Sequence, residues 1–200
     1  MGSLDNRFRR KWQDYGGANA TVAEHSFIEV FSKLFENSDY EVISQPTMFK
    51  KLYVNVELSE EELAVIYTPK ERITTHGIQP DAAIRNKKTG KTIFVEIKRQ
   101  DGWVEGKPRS AGRGNAHERL CKYFTPGLLS KLRDTGKIEA PNLPFWIVFQ
   151  GDITRDPCRV REITYWFGDH KANYFFWRPP QDPDKLVSHF RQYIYPLLED

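Results

Sequence analysis

Cysteine is almost absent: Cys121 and Cys158 are the only two in 200 residues. Two thiols cannot build a disulfide scaffold, and no Cys/His spacing fits a zinc site, so both read as reduced thiols of a cytoplasmic protein. No run of about 18 apolar residues occurs, so no membrane-spanning helix is predicted. The opening stretch MGSLDNRFRRKWQDYGG has no apolar region of the kind a secretory signal requires. Gly2-Ser3 begins a myristoylation pattern, but Asn6 stands where that pattern needs Ser or Thr. Internal repeats and low-complexity linkers are missing as well.

What remains is the composition of a packed protein. Apolar residues make up 39% and aromatic ones 14%, enough for a core and against disorder. A chain of 200 residues fits one domain spanning residues 1–200. The net charge of +3 is mild, but its distribution is not. Residues 85–119 carry ten basic side chains (Arg85, Lys87, Lys88, Lys91, Lys98, Arg99, Lys107, Arg109, Arg113, Arg119) against four acidic ones (Glu96, Asp101, Glu105, Glu118). The opposite bias appears where Glu57, Glu60, Glu61 and Glu62 cluster. A positive patch suits a polyanionic substrate; the alternative is a solvated, lysine-rich loop.

Apolar periodicity predicts a helix over 21–35 with Thr21 as N-cap, and a short strand over 40–44. Ser59 and Glu62 form the pattern of a capping box opening a helix to Ile66. Residues 81–84 and 92–98 flank the turn signal KKTGK and predict an antiparallel hairpin. A Gly-, Pro- and Ser-rich loop over 99–114 leads to a helix from about Ala116, which Pro126 should kink or end. A strand over 145–149, a helix beginning at Asp156-Pro157, a strand over 174–177 and a terminal helix over 184–198 complete the order. This is an α/β pattern: a mixed central sheet flanked by helices.

The chemistry-bearing residues lie on the hairpin. Successive side chains of a strand alternate faces, so Glu96 and Lys98 of TIFVEIK share a side about 7 Å apart. Antiparallel pairing brings Pro80-Asp81 opposite Glu96. Mg²⁺ takes oxygen ligands, usually one or two carboxylates with waters and substrate phosphate oxygens. Asp81 and Glu96 would supply the carboxylates and Ile97 a backbone carbonyl, with Lys98 beside them as a donor to water or phosphate. That is chemistry for cutting a phosphodiester; the bland alternative is a surface strand whose Glu and Lys face solvent.

A second constellation is Arg113-Gly114-Asn115-Ala116-His117-Glu118-Arg119. Glycines allow a close backbone approach, and arginine and asparagine can each grip a base edge through two hydrogen bonds. The same residues also suit a helix start, with Asn115 as N-cap and Glu118 three residues on. The two readings are compatible.

Together, EIKRQDGWVEGK and SAGRGNAHER resemble the MunI family of type II restriction endonucleases, and GNAHER is similar to the GNAIER segment of EcoRI. GDITRDPCRVREIT over 151–164 extends the likeness, which runs from about Gly77 to Trp177 and is weaker over the first 75 residues. The resemblance implies a PD-(D/E)xK restriction-endonuclease-like domain, with Asp81, Glu96 and Lys98 catalytic and Mg²⁺ on Asp81, Glu96 and Ile97. It implies DNA contacts from Arg113 through Arg119: Gly114, Asn115, Ala116 and Arg119 on a central AATT, and Arg113 on an outer C·G pair. His117 stands where EcoRI has isoleucine. The implied reaction is cleavage of double-stranded DNA at C/AATTG, leaving 5′-AATT overhangs. A palindromic site cut on both strands also calls for a C2 homodimer. A structure-specific repair or recombination nuclease and a non-catalytic DNA-binding module remain as alternatives.

Overall fold

The strand that carries Glu96 and Lys98 is the middle strand of the main sheet. The computed structural model describes residues 21–44, 46–66, 75–102 and 117–199. Arg113, Gly114, Asn115 and Ala116 lie outside the described residues. In chain order come helix α1 (21–34), strand β1 (Tyr40–Ile43), strand β2 (Val54–Asn55), helix α2 (Glu60–Val65) and strand β3 (Thr75–His76). Strands β4 (Ala82–Asn86) and β5 (Thr92–Arg99) form the expected hairpin. Helix α3 (Pro126–Gly136), strand β6 (Phe145–Gln150), helix α4 (Pro157–Phe167), strand β7 (Tyr174–Phe176) and helices α5 (Pro183–His189) and α6 (Tyr195–Leu198) follow.

The five-stranded sheet runs β1-β4-β5-β6-β7. Its first pairings, β1 with β4 and β4 with β5, are antiparallel. β5 with β6 and β6 with β7 are parallel. The mixed α/β architecture expected from the sequence is therefore present, while β2 and β3 form a separate two-stranded ribbon that no sequence pattern announced.

Both faces of the sheet are covered, which is why β5 and β6 read as nearly continuous apolar runs. On one face Ile93, Val95, Ile97, Trp146 and Val148 pack with Phe27 and Phe31 of α1 and Leu186, Phe190 and Leu198 of the C-terminal helices. On the other, Phe94, Phe145, Ile147 and Phe149 pack with Leu132 of α3, Ile163 and Phe167 of α4, and Leu120 and Tyr123. Alternation along β5 assigns Glu96 to the second face, in line with Phe94.

Local signals decide most boundaries. Ser59 and Glu62 make the reciprocal capping box of α2, with Ser59 Oγ accepting from Glu62 N–H at 3.2 Å and Glu62 Oε2 from Ser59 N–H at 2.8 Å. Asp156 caps α4 by accepting from Cys158 N–H at 3.0 Å, and Pro157 occupies its first turn.

Three helix expectations need correction. Thr21, expected as N-cap, is already helical. Residues Glu118–Phe124 form a 3-10 helix rather than an α-helix; it ends just before Pro126, as expected, and the proline then opens α3. A proline at the first turn loses only a hydrogen bond that no residue there makes. The terminal helix contains a π-helical turn at Phe190–Ile194 before α6. Pro196, in the first turn of α6, has no N–H to give the carbonyl one turn back, and the wider turn absorbs the mismatch.

Gly151 ties the ends of β5 and β6 together. Gln100 N–H donates to the Gln150 carbonyl at 3.2 Å, and Ile153 N–H to the Gln100 carbonyl at 3.1 Å. Between them Gly151 sits at φ +81° and ψ −160°, a region essentially reserved for glycine. A β-carbon there would stand 2.5 Å from Asp101 Oδ1 and 2.6 Å from the Gln100 carbonyl oxygen. Gly151→Ala is expected to lower unfolding stability by roughly 1–3 kcal/mol from backbone strain alone, read as a lower midpoint in urea; an unchanged midpoint would show that the strap can relax.

Candidate active site

The hairpin register sets the site. β4 pairs Ala82 with Val95 and Ile84 with Ile93, so Asp81, just before β4, falls beside Glu96 at the open end of the hairpin. Asp81 Oδ2 accepts the Ile97 backbone N–H at 2.6 Å. That bond fixes the aspartate against the strand bearing the other two residues. Lys98 Nζ lies 2.5 Å from Glu96 Oε1 and 3.9 Å from Asp81 Oδ2, so one ammonium spans both acids. The three side chains expected from sequence to act together are brought together.

They sit largely out of water: the side chains of Glu96, Lys98 and Asp81 are 5%, 18% and 21% exposed. Burial and the Glu96 charge raise the Asp81 pKa to about 6, with Lys98 and the Ile97 N–H acting against them. Two like charges in a desolvated corner disfavour full ionisation unless a cation joins them. No group of three or more His, Cys, Asp or Glu side chains suited to a metal occurs among the described residues. The donors present are thus two carboxylates with the neighbouring backbone. They fit a hard divalent cation that keeps several waters.

Three participants escaped the sequence reading. Tyr123, from the 3-10 helix Glu118–Phe124, donates its hydroxyl to Glu96 Oε2 at 2.6 Å. Burial and the Glu96 charge hold the Tyr123 pKa well above its usual value, so the hydroxyl stays a donor. Lys122 Nζ approaches Glu96 Oε1 at 3.9 Å. Glu24 of α1 adds to the local field: burial raises its pKa, Lys98 opposes that, and Glu96 adds to it. Nothing local marks Glu24, because its position depends on how α1 packs. Tyr123 shows only when residues 117–123 are read with a period of three.

Read that way, the segment after Ala116 explains itself. A 3-10 helix has three residues per turn, so His117, Leu120 and Tyr123 stack in one column. All three are buried, at 0%, 1% and 0% exposure, while Glu118, Arg119, Cys121 and Lys122 face outward. His117, expected at a DNA contact, instead stacks its ring on Trp166 at 5.5 Å and places Nε2 3.0 Å from Glu162 Oε2. Burial and the nearby Arg159 lower its pKa, with Glu162 opposing. Arg159 also donates to Glu162 at 2.6 Å. Helix α4 thus supplies the seat for His117, since Arg159, Glu162 and Trp166 all belong to it. Glu118 and Arg119 remain open to a ligand.

Fold and site together define a class: a site-specific deoxyribonuclease on the PD-(D/E)xK scaffold. The family model described as "Type II restriction enzyme MunI" matches residues 1–199. The type II restriction enzyme MunI of Mycoplasma sp. is 48% identical over 202 residues, covering all of both chains. The crystal structure of MunI restriction endonuclease in complex with cognate DNA superposes with a TM-score of 0.79 at 49% identity, over 94% of this chain and 97% of that one. The chain belongs to the MunI family and is a type II restriction endonuclease. The likeness reaches through the N-terminal residues, where the sequence motifs alone had suggested it was weak.

Asp81 also sets a pH dependence of stability. Its folded-state pKa of about 6 exceeds the ordinary 3.8, so the folded chain binds this proton more tightly than the unfolded one. The associated stabilisation is full below about pH 4 and is lost as pH rises through about 6. In metal-free protein, Asp81→Asn keeps an acceptor for Ile97 N–H without the charge. It is expected to raise unfolding stability by roughly 2 kcal/mol at pH 8 and by much less at pH 4. Equal effects at both values in urea titrations would rule out charge repulsion as the cause.

Proposed function

We propose that this endonuclease cleaves double-stranded DNA at C/AATTG in a Mg²⁺-dependent reaction, acting as a homodimer and leaving 5′-AATT overhangs. The observation that carries the chemistry is the gathering of Asp81, Glu96 and Lys98 at the open end of the β4–β5 hairpin. Asp81, Glu96 and the Ile97 backbone carbonyl would hold the metal. When bound, Mg²⁺ supplies charge neutralisation at phosphate oxygens and lowers the pKa of a coordinated water. The raised Asp81 pKa supports this reading, because it marks negative charge in need of a cation.

The chain's own residues do the rest. Lys98, held between the acids, donates to the attacking water or to a non-bridging phosphate oxygen and keeps it in line. Glu96 fixes that ammonium at 2.5 Å, so the donor is in place before substrate arrives. The hydrophobic floor of Phe94, Phe145 and Phe149 limits solvent beneath the site, which strengthens each charge interaction above it.

Recognition is assigned by motif. Gly114, Asn115, Ala116 and Arg119 would read the central AATT, and Arg113 the outer C·G pair. The buried position of His117 supports a seat for these residues rather than a base contact of its own. Each chain carries one such site, so cutting both strands of a palindrome requires two chains about the DNA dyad.

A plasmid with one CAATTG sequence, digested in Mg²⁺ and sequenced at its ends, tests the specificity; random nicking or binding without a cut would refute it. Glu96→Ala and Asp81→Ala are each expected to abolish cleavage while the fold is retained by circular dichroism, and full activity in either would remove that residue from the site. Arg113→Ala is expected to lose discrimination at the outer base pair by about 1–3 kcal/mol. A loss shared equally by all duplexes would show that Arg113 only holds phosphate.

A further inference from the structure

We propose that the basic cleft at the turn end of the β4–β5 hairpin is a second DNA-binding site, which holds the phosphate backbone of a duplex segment other than the one being cut.

The cleft has a volume of about 570 Å³. It lies on the same face of the hairpin as the two acids, but at the other end. Register pairs Ala83 with Phe94 and Arg85 with Thr92, so this face runs from Asp81 and Glu96 through those pairs to the turn. Thr92 precedes Glu96 by four residues, about 13 Å along the strand. The end of α3 closes tightly on this stretch: a β-carbon on Gly136 would stand 2.5 Å from the Thr92 carbonyl oxygen and 3.3 Å from the Phe94 ring.

Five cations line the cleft: Lys50 and Lys51 from the 3-10 helix Pro46–Leu52, Arg85 and Lys87 from the hairpin, and Lys137 from the end of α3. Among the described residues no Asp or Glu lines it. Glu41 accepts from Arg85 Nε at 2.6 Å and so offsets one of the five charges.

Two of the others are held by neutral groups. Lys87 Nζ donates to the Ser38 carbonyl at 2.6 Å, and Lys137 Nζ to the Thr89 carbonyl at 3.2 Å. A carbonyl orients an ammonium without cancelling its charge. Gly90 makes room for the second of these: its φ is +76°, and a β-carbon there would stand 2.9 Å from Lys137 Nζ. The turn is thus shaped around a cation that its own partner leaves charged. Lys50 and Lys51 are exposed and free to follow a ligand. Beneath them the floor is apolar, with Phe49 set against Phe94 at 6.4 Å.

Cations gathered around an apolar floor repel one another, and an anion with several closely spaced charges relieves that repulsion. A DNA backbone is such an anion, and DNA is what a restriction endonuclease works on. Lysines meet phosphates as point charges and read no sequence. The cleft therefore supplies a weak, sequence-independent hold. That suits an enzyme which must find a short site in long DNA by moving between segments.

The test uses the full-length protein, saturated onto an immobilised CAATTG duplex in Ca²⁺ and then exposed to a labelled duplex without that sequence. The wild type is expected to capture the second duplex, with log affinity falling against log salt by about 0.9 for each phosphate met. Lys50→Glu/Lys51→Glu is expected to weaken capture about 10-fold and to lower that slope by about two. Its cleavage of the first duplex in Mg²⁺ should match the wild type. Lys33→Glu/Lys185→Glu changes the net charge equally, on helices α1 and α5 that cover the opposite face of the sheet, and should leave capture unchanged. No capture by the wild type, undiminished capture by the cleft variant, or an equal loss in both variants would overturn the proposal. So would displacement of the second duplex by ATP or inorganic phosphate at a phosphate concentration no higher than that of the DNA, which would mark a site for small anions.

Discussion

A pair of carboxylates kept out of water by one strand register is the constraint on which the rest of this structure depends. Buried charge is costly, and like charge beside it more so. Asp81 and Glu96 are held there by partners that come from the same short stretch of sheet: the Ile97 N–H on Asp81, and the Lys98 ammonium across both. Ile97 and Lys98 lie on β5 and Asp81 at the mouth of the same hairpin, so these contacts form with the hairpin. The residual repulsion is visible in the raised Asp81 pKa. A scaffold that keeps such a site must contribute stability elsewhere, and β5 does so by being buried for most of its length.

That burial has a geometric use. Because β5 pairs antiparallel to β4 and parallel to β6, its C-terminal end meets both the start of β4 and the C-terminal end of β6. The first junction makes the acid pair. The second brings the Gly151 turn against Gln100 and Asp101, and the Gly102 N–H donates to Asp152 at 2.9 Å. From that turn the chain enters α4, whose Arg159, Glu162 and Trp166 seat His117. A single strand end therefore organises the Asp81–Glu96–Lys98 cluster directly and the seat of His117 through two intermediates, the Gly151 turn and α4. Phe145 of β6 joins the sheet to the short helix before α3, packing against Tyr123 at 5.1 Å and Phe124 at 5.3 Å.

How much of this was legible in the sequence depended on the range of the interaction. Period-two alternation and the KKTGK turn located the hairpin, and with it the Asp81–Glu96–Lys98 cluster, because register is a local property. Ser59–Glu62 and Asp156–Pro157 were equally plain, since a cap is decided within four residues. The 3-10 column was not. Its period of three differs little from 3.6 over seven residues, and the choice between them is made by Trp166, Glu162 and Phe145 from distant parts of the chain. Pro126 marked where that helix ends but not that a second one opens on it: proline forbids a helix interior and favours a helix start. Glu24 left no trace, as its place near Lys98 follows from the docking of α1 through Phe27 and Phe31 on Trp146.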